Sequence, residues 1–138
     1  MPSSIRFTGR DLARGLLALA FFAAGVLHLM APAPFIGITP DWVPWPDQII
    51  RLTGAAEILG AIGLMTPRLR QAAGVGLALY AVCVFPANIK HATLSVGDPD
   101  AVLGWWYHAP RLAFQPVIVW WALWAGDVID RPFRAGNR

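Results

Sequence analysis

The sequence predicts an all-α integral membrane protein, a four-helix bundle with both termini cytoplasmic. Three observations carry that reading. Hydrophobic residues make up 57% of the 138-residue chain and charged residues only 14%, against about a quarter in soluble domains. The charges stand between long apolar runs instead of inside them. Four of those runs come close to the roughly 20 residues that a helix needs to cross a bilayer. The length fits a single domain, residues 1–138.

The first span is expected over about residues 12–31. Arg6, Arg10 and Arg14 precede or open it, as in a secretory signal peptide. Its apolar stretch is longer than the 7–15 residues of a signal, however, and "HLMAPAPF" offers no small-x-small cleavage site. The second span covers about 48–65, the third about 71–93 and the fourth about 110–126. The segment 31–47, "APAPFIGITPDWVPWPD", reads as a Pro- and Trp-rich loop, 66–71 as a short basic turn, and 95–107 as an acidic and then aromatic connection. Trp42, Trp45, Trp105, Trp106 and Tyr107 suit an interfacial aromatic belt. The lone Cys83 reads as a helix-packing residue.

Charge sets the orientation. Four crossings place both termini and the 66–71 turn on one side. With them go Arg6, Arg10, Arg14, Arg68, Arg70, Arg131, Arg134 and Arg138, against Arg51, Lys90 and Arg111 on the other side. Loops rich in Lys and Arg stay cytoplasmic. The chain is therefore expected as a multi-pass protein of the cell inner membrane, with the lipid bilayer as its first partner. The scattered arginines form no patch of the kind that nucleic acid requires.

Several polar residues fall where lipid should forbid them. Glu57 lies near the middle of the second span, where a charge costs a few kcal/mol. It must pair, face a wet cavity or stay protonated. Arg51, six residues away, is about 9 Å along the axis and more than 100° round the helix, so a partner has to come from another helix. Thr53, at i−4, shares its face. In alternating topology Glu57 lies about 12 Å from the outer end of its span. His28, Asn88, His91, Arg111 and Gln115 come to the same outer half on the other three helices, whereas the inner halves hold almost nothing polar.

The stretch "VFPANIKHA", residues 84–92, belongs to this set. Asn88 and His91 share a helix face at i,i+3. Pro86 removes a backbone donor, leaving the carbonyl near Val82 open, and a membrane helix must supply another donor for it. A kink beside a polar cavity does so. Lys90 points elsewhere and reaches for the interface. Pro116 is expected to act similarly beside Gln115, while Pro110 fits a first helical turn and His108 the helix–water boundary. Small residues such as Gly54, Gly60, Gly63, Gly74 and Gly76 permit close packing.

The segments "FFAAGVLHLMAPAPF", "RLTGAAEILGAIGLMTPRLRQAAG", "VFPANIKHA" and "RLAFQPVIVWWAL" resemble, in this order, the DoxX-like family of small four-helix membrane proteins, from about Phe21 to Leu123. On that resemblance Gly54, Glu57, Pro67, Arg68, Pro86, Ala87, Asn88, Arg111 and Gln115 fall on family motif positions. Ala113 stands where the family pattern has a proline, and Pro116 follows it instead. The resemblance implies the four-helix fold. Relatives associated with a thiosulfate:quinone oxidoreductase, with oxidative-stress complexes or with protein maturation imply a membrane redox setting but no particular reaction.

These readings converge on an accessory protein or subunit of a membrane redox system. Its outer polar pocket, built from His28, Glu57, Asn88, His91, Arg111 and Gln115, would take a quinone or a small lipid-like ligand. A membrane redox protein or a second copy of the chain is the partner candidate. The alternatives are a non-enzymatic assembly or chaperone-like protein and a small-solute or proton pathway; the apolar inner half speaks against the latter. No nucleophilic triad is visible, the histidine and glutamate spacings do not suit a metal, and haem is disfavoured because nothing opposes two axial histidines.

Overall fold

The computed structural model describes residues 8–130, and within them every regular element is a helix. The elements are α1 (Gly9–Met30), α2 (Ala33–Ile38), α3 (Pro46–Met65), α4 (Arg70–Cys83), α5 (Phe85–Gly97) and α6 (Trp105–Ala125). Arg6, Arg131, Arg134 and Arg138, which the charge argument uses, lie outside the described residues. Three rods are long and apolar enough to cross a membrane: α1, α3, and α4 with α5 as Arg70–Gly97. Their outward faces carry Leu12, Leu16, Leu19, Leu52, Leu59, Ile62 and Leu79 in the open, a distribution consistent with a membrane protein, whose solvent is lipid.

α1 begins three residues earlier than expected because Thr8 and Asp11 close a capping box: Thr8 Oγ1 accepts from the Asp11 amide, and the Asp11 carboxylate accepts from the Thr8 amide. It buries one stripe, Arg14, Leu17, Ala18, Phe21, Gly25 and His28, at helical spacing. The expected loop 31–47 contains the short helix α2. Pro46 starts α3, its missing amide harmless in a first turn. The third span is in two pieces. The helix stops at Cys83, Val84 forms a turn, and α5 resumes with Pro86 in its first turn. α6 starts at Trp105, well before residue 110, because the Gly104 carbonyl accepts from the Tyr107 and His108 amides. Pro110 thus stands inside the helix and not in its first turn.

α1 packs against α3 and α6, and α4 packs against the same two. The apolar core joins Leu17, Ala18 and Phe21 of α1 to Ala61 and Leu64 of α3, Leu77 and Ala78 of α4, and Ala122 and Ala125 of α6. Two backbone approaches set the spacing. A Cβ on Gly54 would stand 2.8 Å from His28 Cβ and 2.9 Å from the Gly25 carbonyl oxygen; one on Gly25 would stand 2.6 Å from the Gly54 carbonyl oxygen. Likewise a Cβ on Gly126 would lie 2.7 Å from Gly74 Cα.

The half that was expected to lack polar groups holds a charged lock. At the end where α1 begins and α6 stops, Asp127 follows Gly126 with φ 58°, a left-handed position that Asp tolerates. The Val128 amide donates to the Leu123 carbonyl and the Asp127 amide to that of Trp124, closing a Schellman turn. This aims the Asp127 carboxylate at three arginines: Arg10 at 3.0 Å, Arg14 at 3.1 Å and Arg70 at 3.1 Å. Arg14, only 4% exposed, also donates to the Ala125 carbonyl and to Asp11. Arg10 donates to the Trp124 carbonyl and Arg70 to that of Leu64, so the arginines satisfy helix-end carbonyls as well as an acid. The spacing hid this lock because Asp127 lies more than a hundred residues from Arg10 and Arg14.

Gly54→Ala tests the closer approach. The new methyl meets a backbone oxygen that cannot rotate away, so α1 and α3 must separate, at a cost of about 1–3 kcal/mol. A lowered melting temperature of the purified protein in detergent is expected, while Gly76→Ala, which meets nothing within 4 Å, should leave it unchanged.

Candidate functional site

Near the other end of the helices lies a cavity of about 440 Å3, within the size range of small-molecule sites. Phe21, Ile50, Phe114 and Ile118 wall it with apolar surface, and the α2 segment covers it with Phe35, Ile38, Trp42 and Val43. Five of the six candidate residues line it: His28, Glu57, Asn88, Arg111 and Gln115. The sixth, His91, does not line it but bonds to Arg111.

The polar groups fall into two clusters. The first grows from the glycine contact. His28 and Glu57 each stand three residues past one member of the Gly25–Gly54 pair, so the close approach of α1 and α3 brings their side chains together. Glu57 is 3% exposed, and its Oε2 lies 2.7 Å from His28 Nδ1. The same nitrogen lies 2.9 Å from the Ala24 carbonyl oxygen. Facing two acceptors, Nδ1 is the protonated nitrogen of this ring. One N–H cannot point at both, and Glu57 Oε2 is left without a well-directed donor. Phe35 of α2 lies over the imidazole, ring centroids 3.9 Å apart.

Tyr80, which the sequence reading passed over, belongs here. Its hydroxyl stands beside Glu57 and Thr53. The signal was present: Tyr80, Val84 and Asn88 are spaced i, i+4, i+8, so the phenol lines up with a residue already singled out. A lone tyrosine in an apolar run gives no direction until the partner helix is known.

The second cluster is a directional chain. Arginine only donates, so Asn88 Oδ1 accepts from Arg111 Nη2 at 2.7 Å. Asn88 Nδ2 then donates to Gln115 Oε1 at 3.0 Å, and Gln115 Nε2 donates to the Ala81 carbonyl. The orientation of both amides follows from the guanidinium. The open carbonyl was expected near Val82; the one that takes the side chain is Ala81's. The helix stops at Cys83, three residues before Pro86, so the first carbonyl deprived of its amide lies one residue earlier. Arg111 Nη1 also donates to His91 Nδ1 at 3.0 Å, which fixes that nitrogen as the unprotonated one.

Two expectations are corrected around this site. His108 is not at a water boundary: it is 0% exposed, edge-on to His91 with ring centroids 4.8 Å apart, and among the described residues neither ring nitrogen has a partner. The Trp105–His108 turn extends α6 and carries it inward. Cys83 is exposed and borders the cavity, off the buried α4 stripe of Gly74, Leu77, Ala78 and Ala81. Lys90 extends from α5 to the 39–41 segment, where Asp41 is exposed. It donates to the Thr39 carbonyl and to Asp41, both at 2.7 Å, latching the segment that covers the cavity to α5. The Lys90 hydrogen bond, and then its charge, hold the Asp41 carboxyl below its ordinary range. The sign is that of a depressed acid: the latch persists at neutral pH and weakens as pH falls through the lowered value.

Removing Gln115 tests the chain of bonds. Gln115→Leu keeps bulk but strands the Ala81 carbonyl and the Asn88 amide, so a loss of about 1–3 kcal/mol is expected. Thermal unfolding in detergent measures it. An unchanged melting temperature would show that lipid-side rearrangement satisfies both groups.

Residues 17–126 match the sequence model of a family described as Domain of unknown function (DUF8561). No curated protein and no solved structure matches the chain.

Proposed function

The chain belongs to the DUF8561 family, whose description assigns no activity, and we propose that it is a multi-pass protein of the cell inner membrane that holds a quinone or a similar small amphipathic ligand, as an accessory or subunit of a membrane redox system. In this reading four rods cross the bilayer. Beside the three apolar ones, α6 has 21 residues and reaches about 31 Å; its tryptophans, prolines and inward polar face lower its hydropathy. Both termini are cytoplasmic, with the Arg10–Arg14–Arg70 lock on that side. The redox setting is proposed on the resemblance of the segments to DoxX-like proteins alone.

One observation carries the ligand reading. A single cavity, apolar on its walls and roofed by aromatic and aliphatic side chains, gathers hydrogen-bonding side chains from α1, α3, α4, α5 and α6. An apolar ring with oxygen substituents needs that combination, and a purely structural network would not need the empty volume. The cavity also speaks against a through-going solute path, since Leu64, Leu77, Ala78 and Ala122 fill the space between it and the arginine lock.

Two outcomes are expected. A reporter fused after Arg138 should behave as cytoplasmic, and activity on the periplasmic side would reverse the orientation. Protein purified in mild detergent and extracted with organic solvent should release a quinone detectable by absorption and mass spectrometry. Glu57→Leu should reduce its yield per mole of folded protein several-fold. Folded protein that releases no such molecule but retains one membrane partner would instead support the assembly role.

A further inference from the structure

Among the described residues, every basic side chain shielded from solvent except one is matched to an acid. Arg10, Arg14 and Arg70 share Asp127, and Lys90 holds Asp41; Arg51, nearer the surface, holds Asp47. Arg68 stands exposed. Arg111 differs: it lines the cavity, yet among the described residues no carboxylate lies within 4 Å of it. Its partners are Asn88 Oδ1, His91 Nδ1 and the face of Tyr107, 5.9 Å from the ring centroid. All three orient the guanidinium and none neutralises it. Glu57, the one acid lining the cavity, is held against His28 instead.

A partly buried cation held in place by neutral groups is a fixed anion site. Its charge is desolvated and aimed, and two or more of its five donors remain for a planar or tetrahedral oxyanion. The surrounding wall is apolar, so the anion must carry an apolar body. We propose that the cavity binds an amphiphile with an oxyanion head, a carboxylate or a phosphate monoester, seated on Arg111, with its chain against Phe21, Phe114 and Ile118. Asn88 and His91 serve as positioning residues for the guanidinium. The inference rests on the cavity being an amphiphile site, as proposed above, and selects within that reading a ligand with an anionic head over a neutral quinone.

Native mass spectrometry of the full chain in neutral detergent tests it, with dodecanoate, dodecyl phosphate, methyl dodecanoate and a short-chain quinone as probes. The expected result is that dodecanoate or dodecyl phosphate binds at least about tenfold more tightly than the ester, the weight of one charge-assisted contact; the stronger of the two identifies the head group. Arg111→Lys should keep most of that preference. Arg111→Gln should abolish it while leaving binding of the ester unchanged, which also shows that the variant's cavity is intact. If Arg111→Gln does not fold, Arg111→Lys and the acid-to-ester ratio of the parent decide alone. Equal binding of acid and ester by the parent overturns the proposal. Binding of the quinone and the ester without preference for either anion overturns it while leaving the cavity reading standing; binding of no probe overturns both.

Discussion

The Ala81 carbonyl is the small fact on which the architecture of the site turns. A helix inside a membrane must satisfy its own backbone, and the turn at Val84 takes an amide away from that oxygen. Gln115 supplies the missing donor across the α4–α6 interface. Once its amide nitrogen is committed there, its oxygen can only accept, which sets Asn88, which in turn accepts from Arg111. A break in one helix therefore fixes the rotation of α6, the orientation of two amides and the position of a guanidinium. The turn at Val84 and Gln115 are two halves of one device.

The opposite wall is set by packing instead of hydrogen bonding. Gly25 and Gly54 bring two backbones so close that neither tolerates a Cβ, and the next turn of each helix then presents His28 and Glu57 to each other. At the far end Gly74 and Gly126 repeat the arrangement, and the turn following Gly126 delivers Asp127 to the arginines. In both places glycine places a charged side chain by removing its neighbour's bulk. Between them lies a dry plug of Leu64, Leu77, Ala78 and Ala122. Among the described residues, no polar side chain of the apolar cluster links the two ends, which suits a cavity closed at its base.

The cover over the cavity is built differently from its walls. α2 is only six residues long and buries none of its own residues fully. It stays in place through Phe35 on His28 and through Lys90, which reaches from α5 to the Thr39 carbonyl and Asp41. The carboxylate end of that latch is open to water, where ion pairs contribute little. The cover is thus held by a ring contact and an exposed ion pair, whereas the walls are packed helices.

Composition and periodicity alone determined that the chain is helical and lipid-compatible, and nearly where its helices run, because apolar length is a property of consecutive residues. Depth arithmetic from those spans was enough to gather His28, Glu57, Asn88, Arg111 and Gln115 at one level, since rise per residue is fixed. It could not pair them. Whether Glu57 meets His28 or Arg111 depends on which helices are neighbours and on their rotation, and only the tertiary structure decides that, through the glycine contact of α1 and α3. The arginine lock was invisible for the same reason: Arg10, Arg14 and Asp127 each look like ordinary helix-end charges until α1 and α6 are side by side. Tyr80 likewise gave no signal of its own, and His108 read as a residue of the helix–water boundary. Burial, which turns a polar side chain into part of a site, is a property of the neighbours that sequence does not list.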